Sequence, residues 1–316
     1  WVFKKFVFSF DEMTNLSKDF REQLKENYDF FGIETVAVHK SSDRSEKYLF
    51  RLPKDQETVE AVFMPWEKRN TICLSSQVGC KMNCSFCATG QMGFTRNLEA
   101  YEIVQQVMEI KKSQGDIMLP SNLVFMGMGE PLDNYDNVVK AINILNENLG
   151  LKIAMRKITV STCGLVNNIY RLADEKKQLG LAISLNATND EKRDIIMPVN
   201  KKYPIKELLD AAKYYDKTTG RRVTFEYVLL KDFNDNYADA EELAKILDFP
   251  CKISLIPYNG IEKGIFKRPS RHRVMLFQNK LYELSKNAVT LRESRGGDVE
   301  AACGQLKQRE DKKDKI

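Results

Sequence analysis

From residue 71 onward the chain keeps a regular beat. A short apolar run is followed by a longer stretch with apolar side chains at helical spacing, and then by another apolar run. Periods of two and of 3.6 residues, taken in turn, predict strands and helices in alternation. The predicted strands are Thr71–Leu74, Leu123–Met126, Ile158–Ser161, Leu181–Leu185, Val223–Leu230, Lys252–Ile256 and Ala288–Arg292. The helices predicted between them cover 98–112, 134–147, 165–178, 205–218, 237–247 and 273–286, with Asn97 placed as the N-cap of the first. Six strand–helix units and a last strand predict an α/β fold around a parallel sheet. Periodicity alone leaves open whether that sheet is a (β/α) barrel or an open, doubly wound one. In both, sites gather at the C-terminal ends of the strands.

Before residue 71 the pattern is weaker. Residues 1–40 read as a small helical piece, with an amphipathic stretch from Asp11 to Asn27. Residues 41–58 are polar and turn-rich apart from Tyr48-Leu49-Phe50, and Val59–Phe63 alternates as a strand does. The tail, 307–316, is almost wholly charged and is expected to be disordered. The expected division is therefore 1–58, 59–306 and 307–316.

At 316 residues the chain suits one large domain, or one large and one small. A hydrophobic content of 43% with 29% charged residues is that of a soluble globule. No run approaches the ~20 apolar residues of a membrane span, so no membrane partner is expected. The chain opens at Trp1, not Met, and part of the natural N-terminus is expected to be missing. A net charge of +5 permits nucleic acid as a partner without demanding it. Seven cysteines, three of them in one short run, point to cytosolic metal or redox chemistry and away from a secreted disulfide framework. His39 and His272 are the only histidines, which leaves a histidine base poorly supported.

The short run is Cys80-Lys81-Met82-Asn83-Cys84-Ser85-Phe86-Cys87. Soft thiolates select iron–sulfur clusters, zinc or copper(I). A fully ligated four-iron cluster takes four cysteines, and a structural zinc takes four ligands. Three thiolates on a four-iron cube leave one iron open to a substrate; a zinc knuckle completed by a distant residue is the alternative. Gly127-Met128-Gly129-Glu130-Pro131 follows a predicted strand, where glycines let backbone approach a ligand and Glu130 can accept from an α-amino group. Ser161, Ser184-Leu185-Asn186 and Asn259 stand at further strand ends. Cys73 and Cys303 adjoin polar, glycine-containing loops, whereas Cys163 and Cys251 read as small buried apolar residues.

The C-x3-C-x2-C spacing, with Phe86 before the last cysteine, resembles the cluster motif of radical S-adenosylmethionine (SAM) enzymes. Longer runs narrow the resemblance. They are Cys73-x-Ser75-Ser76-Gln77-x-Gly79-Cys80, Cys87–Gly90, Gly93–Leu98 and Ala301–Leu306. Together these are similar to the dual-specificity RNA methyltransferases that methylate C2 of an adenosine in 23S ribosomal RNA and, in some members, in transfer RNA. The similarity runs from about residue 11 to 307. It implies a partial (β/α)6 barrel at 59–306, whose C-terminal extension carries a catalytic cysteine. It also implies a truncated N-terminal helical accessory region at 1–58.

The resemblance further implies a [4Fe–4S] cluster on Cys80, Cys84 and Cys87. SAM, two molecules per turnover, would be bound by Gly129, Glu130, Ser161, Ser184, Leu185, Asn186 and Asn259. Cys303 would take a methyl from the first SAM. The radical generated from the second would activate that methyl for addition to adenine C2, and Cys73 would resolve the protein–RNA crosslink by forming a disulfide with Cys303. Glu60 matches the position of a proton acceptor; its bland reading is a solvent-facing strand carboxylate. Arg292 and Arg295 are close enough in sequence to favour the Cys303 thiolate. Implied partners are 23S rRNA, tRNA and an electron donor such as flavodoxin or ferredoxin, for a cytoplasmic monomer. Two positions depart from the family pattern: Asn186 stands where His is usual and Gly260 where Pro is usual. The other readings are the related branch that methylates C8, a zinc-stabilised RNA-binding protein, and a radical SAM enzyme for a small metabolite.

Overall fold

The computed structural model describes residues 1–7, 9–28, 30, 32–67, 69–115, 121–262 and 264–307. The predicted charged tail, apart from Lys307, lies outside the described residues. The strands are β1 (Glu34–Lys40), β2 (Glu46–Arg51), β3 (Thr58–Trp66), β4 (Arg69–Cys73), β5 (Gln77–Gly79), β6 (Phe94–Asn97), β7 (Asn122–Phe125), β8 (Ile158–Thr162), β9 (Gly180–Ser184), β10 (Thr224–Leu229), β11 (Lys252–Pro257) and β12 (Ala288–Leu291). Ten of them form one sheet in the order β1-β2-β3-β4-β7-β8-β9-β10-β11-β12; β5 and β6 form a separate ribbon. Neighbours from β1 to β4 pair antiparallel, and those from β4 to β12 pair parallel.

The partial barrel expected from the sequence is present. The strands β4 and β7–β11 carry its six units, and the sheet ends at β1 on one edge and β12 on the other. Helices Ala100–Gln114, Tyr135–Asn146, Val166–Asp174, Ile205–Thr219, Tyr237–Ile246 and Arg271–Leu284 follow the strands in the predicted order. Parallel strands covered on both faces are apolar along their length. Accordingly Leu123, Ile158, Ile183, Phe225, Tyr227, Ile253 and Leu255 are fully buried.

The sequence pattern misplaces several elements. Residues 34–40 are strand, not helix, and 46–51 form a strand where turns were expected. Strand β1 is an edge with polar residues on both faces, so it shows no clean alternation; β2 pairs with β3 along its whole length and buries its four central residues. Asn97 does not cap a helix. It lies in β6, and Glu99 caps the helix in a reciprocal capping box with Glu102. The helix Asp190–Ile196 and the β5–β6 ribbon were not foreseen. No helix among the described residues is long and apolar enough to cross a membrane.

The ribbon fixes the loop that leaves β4. Gly79 sits at φ 73°, and a Cβ there would lie 2.0 Å from the Gly93 carbonyl oxygen. Arg96 anchors the far side by bonding both Asp55, at 2.5 Å, and the fully buried Glu102, at 2.8 Å. Gly79→Ala must open the ribbon and hold alanine in a left-handed conformation, at a cost of about 1–3 kcal/mol. Its melting temperature is expected to fall by several degrees, with reduced iron uptake on anaerobic reconstitution. An unchanged melting curve and full iron content would count against this role.

Candidate active site

The loop after β4 carries the cysteine run, and its geometry is set by backbone contacts. The Cys80 N–H donates to Gly93 O at 2.7 Å, and the Cys87 N–H to Cys84 O at 3.1 Å. Asn83 takes the left-handed conformation (φ 50°) that lets the chain reverse between the first two cysteines. A Cβ on Gly90 would lie 2.9 Å from Cys84 N, so the turn after Cys87 needs glycine. The Ser85 N–H donates to Ile196 O and pins the loop to the end of helix Asp190–Ile196.

Cys80, Cys84 and Cys87 line one wall of a cavity at the C-terminal ends of β7–β11. Burial raises all three thiols above their ordinary value, and for Cys84 the charges of Cys87 and Cys80 raise it further. Thiols this desolvated ionise only if a strong positive charge is supplied, as a metal group does. Among the described residues no three His, Cys, Asp or Glu side chains converge as ligands of a single metal ion. Three soft thiols on one cavity are a donor set that fits an iron–sulfur cluster.

Opposite the thiols stands Glu130, which is 3% exposed. Its carboxylate accepts from Leu132 N at 3.0 Å and from Cys163 N at 2.8 Å. No Lys, Arg or His among the described residues lies within ion-pair distance of it, and burial pushes its carboxyl above the usual carboxylate range. A buried carboxylate lining a cavity without a cation suits a ligand that brings one, such as the ammonium of SAM. The glycines beside it, Gly127 and Gly129, line the same cavity and also pack closely on the loop after β4. Cβ atoms on Gly127 and Gly129 would lie 2.7 Å from Leu74 O and 2.5 Å from Gln77 Cβ. Gln77 completes the junction by accepting from Glu130 N at 2.8 Å.

The remaining residues proposed for SAM divide. Ser161, Ser184 and Asn259 line the cavity. Leu185 and Asn186 are fully buried outside its lining. Asn186 instead ties β9 to β10: its Oδ1 accepts from Val228 N at 2.9 Å and its carbonyl accepts from Asn234. At φ 58° it occupies a conformation that asparagine tolerates.

Cys303 lines this cavity and also a second one, which Cys73 lines from the other side. Cys303 is carried there by the C-terminal segment. Ala88 N donates to Gly304 O at 2.7 Å, Thr89 Oγ1 to Leu306 O at 2.7 Å, and Gln305 Nε2 to Gly260 O at 2.9 Å. Arg292 is the cation of this region. It bonds Glu226 at 3.0 Å, and the nearness of Cys303 and of the Glu226 carboxylate holds its guanidinium above the ordinary value. Arg295 points elsewhere, to the Pro65 carbonyl at 2.6 Å and to Asp43. All seven cysteines are free thiols.

Glu60 is not solvent-facing. It is 1% exposed, pairs with Lys47 at 3.0 Å, and accepts from Lys307 N at 2.9 Å. It lines neither cavity. Three residues of the site were missed by the sequence reading. Glu226 lies in both the cavity wall and the Arg292 pair, and its carboxylate inside the apolar run Phe225-Glu226-Tyr227 was the available signal. Arg193 is wholly buried and donates to the carbonyls of Leu185, Cys163 and Ser184 and to Asn200 Oδ1. Cys163, read as a bland core residue, lines the cofactor cavity.

A model of the radical SAM superfamily matches residues 74–245, and one of the ribosomal RNA large subunit methyltransferase N-terminal domain matches 1–29. The dual-specificity RNA methyltransferase RlmN of Pelobacter propionicus is 46% identical over 308 residues, which cover 97% of this chain and 87% of that protein. That of Desulfotalea psychrophila is 45% identical over 315 residues, covering 97% and 86%. The crystal structure of a radical SAM methyltransferase from Sphaerobacter thermophilus superposes with a TM-score of 0.93 at 43% identity, covering 97% of this chain and 90% of that one.

Burial pushes the Cys73 and Cys251 thiols up to about 12. The folded chain keeps these protons at pH values where the unfolded chain releases them. Their contribution to stability is complete below the ordinary thiol value of about 9 and is lost as pH rises towards 12. The melting temperature of the metal-free protein is therefore expected to fall between about pH 9 and pH 11, and to fall less in the Cys73→Ala/Cys251→Ala double variant. Equal slopes for the two proteins would refute the assignment.

Proposed function

The chain belongs to the radical SAM superfamily and, within it, to the RlmN family of dual-specificity RNA methyltransferases; on that premise we propose that it methylates C2 of an adenosine, with 23S rRNA and tRNA as its substrates. The observation that carries this reading is the position of Cys303 between two cavities, with three clustered thiols and Glu130 on one side and Cys73 on the other. Most radical SAM enzymes for small metabolites need no methyl-carrying cysteine. C2 of adenine is electron-poor and no nucleophile, so a direct displacement on SAM fails and a protein-borne methyl solves the problem.

Cys80, Cys84 and Cys87 would hold a [4Fe–4S] cluster, which together with SAM bound in the same cavity would supply the electron, the carbon radical and the methyl group. Glu130 accepts from the ammonium of SAM, while Ser161, Ser184 and Asn259 offer hydrogen bonds to the rest of it. Leu185 and Asn186 act through the backbone they hold at the end of β9. Cys303 is the methyl acceptor: its sulfur–carbon bond forms, the sulfonium–methyl bond breaks, and the thiol proton departs. The Arg292 guanidinium, paired with Glu226, lines the second cavity with Cys303. Joining the methyl carbon to C2 breaks one methyl C–H bond, whose hydrogen atom would go to the carbon radical derived from SAM, and the C2–H bond, whose proton leaves to a base while the remaining electron would return to the cluster. Cys73, giving up its thiol proton, then attacks the Cys303 sulfur. The disulfide bond forms, the carbon–sulfur bond breaks with its electron pair left on carbon, and that carbon takes a proton to become the methyl group. An external dithiol restores both cysteines.

Glu60 holds the C-terminal segment through Lys307 N, and it can accept a proton from the substrate only after that bond opens. The sequence runs 77–80 and 93–97 favour C2 over C8. The electron donor is proposed to be a flavodoxin or ferredoxin, and the setting the cytoplasm, where thiols stay reduced.

Two measurements test this reading. After anaerobic expression with iron and sulfide, the tryptic peptide containing Cys303 is expected to gain the mass of one CH2, and RNA treated with the loaded enzyme to yield 2-methyladenosine on nucleoside analysis. A Cys303 peptide of unmodified mass in iron-loaded protein would sink the methyl-carrier role, and 8-methyladenosine would move the chain to the other branch. Glu130→Gln removes the charge but keeps an acceptor. A charge-assisted hydrogen bond contributes about 1.5–3 kcal/mol, so SAM is expected to bind roughly ten- to a hundredfold more weakly by equilibrium dialysis. Unchanged affinity would exclude Glu130 as the ammonium partner.

A further inference from the structure

The second cavity has a floor and a mouth set by the register of β3 on β4. Cys73 pairs with Val62, Thr71 with Met64, and Arg69 with Trp66. All six line the cavity. Side chains alternate along a strand, so these positions share one face. The face begins at Cys73, beside Cys303, and ends four residues further along at Trp66. At 3.2–3.4 Å per residue the two ends are about 13 Å apart.

The mouth differs in chemistry from the floor. Trp66 is 52% exposed, although it ends a strand whose central residues, Val59–Phe63, are buried. The Arg295 guanidinium lies over its ring at 4.7 Å from the centroid, and that of Arg69 at 5.3 Å. Arg295 is fixed by the Pro65 carbonyl and by Asp43, so the ring is held from one side by a rigid partner. Arg292 stands deeper in the same cavity, and Glu293 is the one carboxylate of its lining among the described residues. Half-open indole flanked by guanidinium groups, at the mouth of a cavity with an arginine-rich wall, is what an unpaired nucleobase and its phosphates recognise. Bases stack on aromatic rings and guanidinium planes while the cations meet the backbone.

We propose that Trp66, with Arg69 and Arg295, forms a stacking platform for an unpaired nucleotide of the RNA next to the adenosine being methylated. The inference rests on the RNA methyltransferase reading and deepens it. The platform is too far from Cys73 and Cys303 to hold the target base itself, and lies within reach of a neighbour along a single strand. It makes the second cavity the side from which RNA enters, with the cofactor cavity behind Cys303.

The test uses the full chain in a Trp1→Phe background, so that Trp66 is the sole tryptophan. The ligand is a stem-loop RNA whose loop carries an adenosine, alongside the same RNA with an abasic site at the loop positions flanking it. Indole emission is expected to be quenched on addition of the intact RNA and much less by the abasic one. By fluorescence anisotropy with end-labelled RNA, Trp66→Ala is expected to weaken binding of the intact RNA roughly tenfold, since a stacked base contributes about 1–3 kcal/mol. Trp66→Tyr is expected to recover most of that loss. The abasic RNA offers no flanking base to stack, so the parent protein and Trp66→Ala should bind it with equal affinity. Unquenched emission, or equal weakening of Trp66→Ala on both RNAs, would overturn the platform; a circular-dichroism melt of each variant separates that from misfolding. The loaded wild type is assayed in parallel for methyladenosine. Its absence would overturn the RNA methyltransferase reading, whereas methyladenosine with binding indifferent to Trp66 would overturn the platform alone.

Discussion

The site depends on the docking of one C-terminal segment against one loop. Cys303 belongs to none of the six barrel units; it follows β12 at the edge of the sheet. It reaches the cofactor cavity because Ala88 and Thr89, just after the last clustered cysteine, donate to Gly304 and Leu306. Ala302 and Leu306 are buried beside those bonds, and Lys307 N is held by Glu60. Each neutral hydrogen bond adds only about 1 kcal/mol net, so the segment is placed by their sum and by apolar contact. The same turn that orders Cys87 therefore orders Cys303, and a defect in the loop displaces both chemistries at once.

Buried charge is the second constraint. Glu130 has no cation within ion-pair distance, and Arg193 has no carboxylate within that distance, among the described residues. A single residue lies between them. The Cys163 N–H donates to Glu130, and the Cys163 carbonyl accepts from Arg193. Burial penalises both ionised groups, raising the carboxyl and lowering the guanidinium. Desolvation of an ion costs several kcal/mol even after relaxation. The arrangement is stable only because peptide groups at the ends of β8 and β9 solvate each charge from within. It leaves the carboxylate aimed at a cationic ligand and the guanidinium close enough to Cys84 to favour its thiolate.

Much of this was legible in the sequence because period and spacing are local. The strand–helix alternation after residue 71 needed no knowledge of partners. The three clustered cysteines, Glu130, Cys73 and Cys303 announced themselves by neighbours within a few positions. What was illegible depends on contacts distant in sequence. Strand β1 owes its form to pairing with β2, since its own residues are polar on both sides. Glu60 reads as an exposed strand carboxylate until Lys47 and Lys307 are brought against it from opposite ends of the chain. Arg193 sits in the charged run Asp190–Asp194, which any pattern assigns to a solvated helix face, yet it is wholly buried. The glycines were only half legible for a related reason, since Gly127 and Gly129 line the first cavity as well as packing on the loop after β4. At Gly127 and Gly129 the sequence shows that backbone must come close to something, but not that the something includes the chain's own loop.

Two cavities meeting at Cys303 impose an order on the chemistry. Met126, Ile256 and Cys303 are common to both linings, so these side chains form the partition. In the reading proposed above, a methyl group carried on the Cys303 sulfur would lie at that partition, within reach of both cavities. On the same reading Cys73, which lines the second cavity with Cys303, would meet the sulfur only after carbon has been delivered to the base. RNA would then be held by the outer half of the second cavity. With a net charge of only +5, long-range attraction of a polyanion is modest, and affinity has to come from contacts at the mouth itself. An enzyme built in this way selects for RNA whose adenosine is already unstacked, because a base still in its helix would have to leave it with little electrostatic energy to offset the cost.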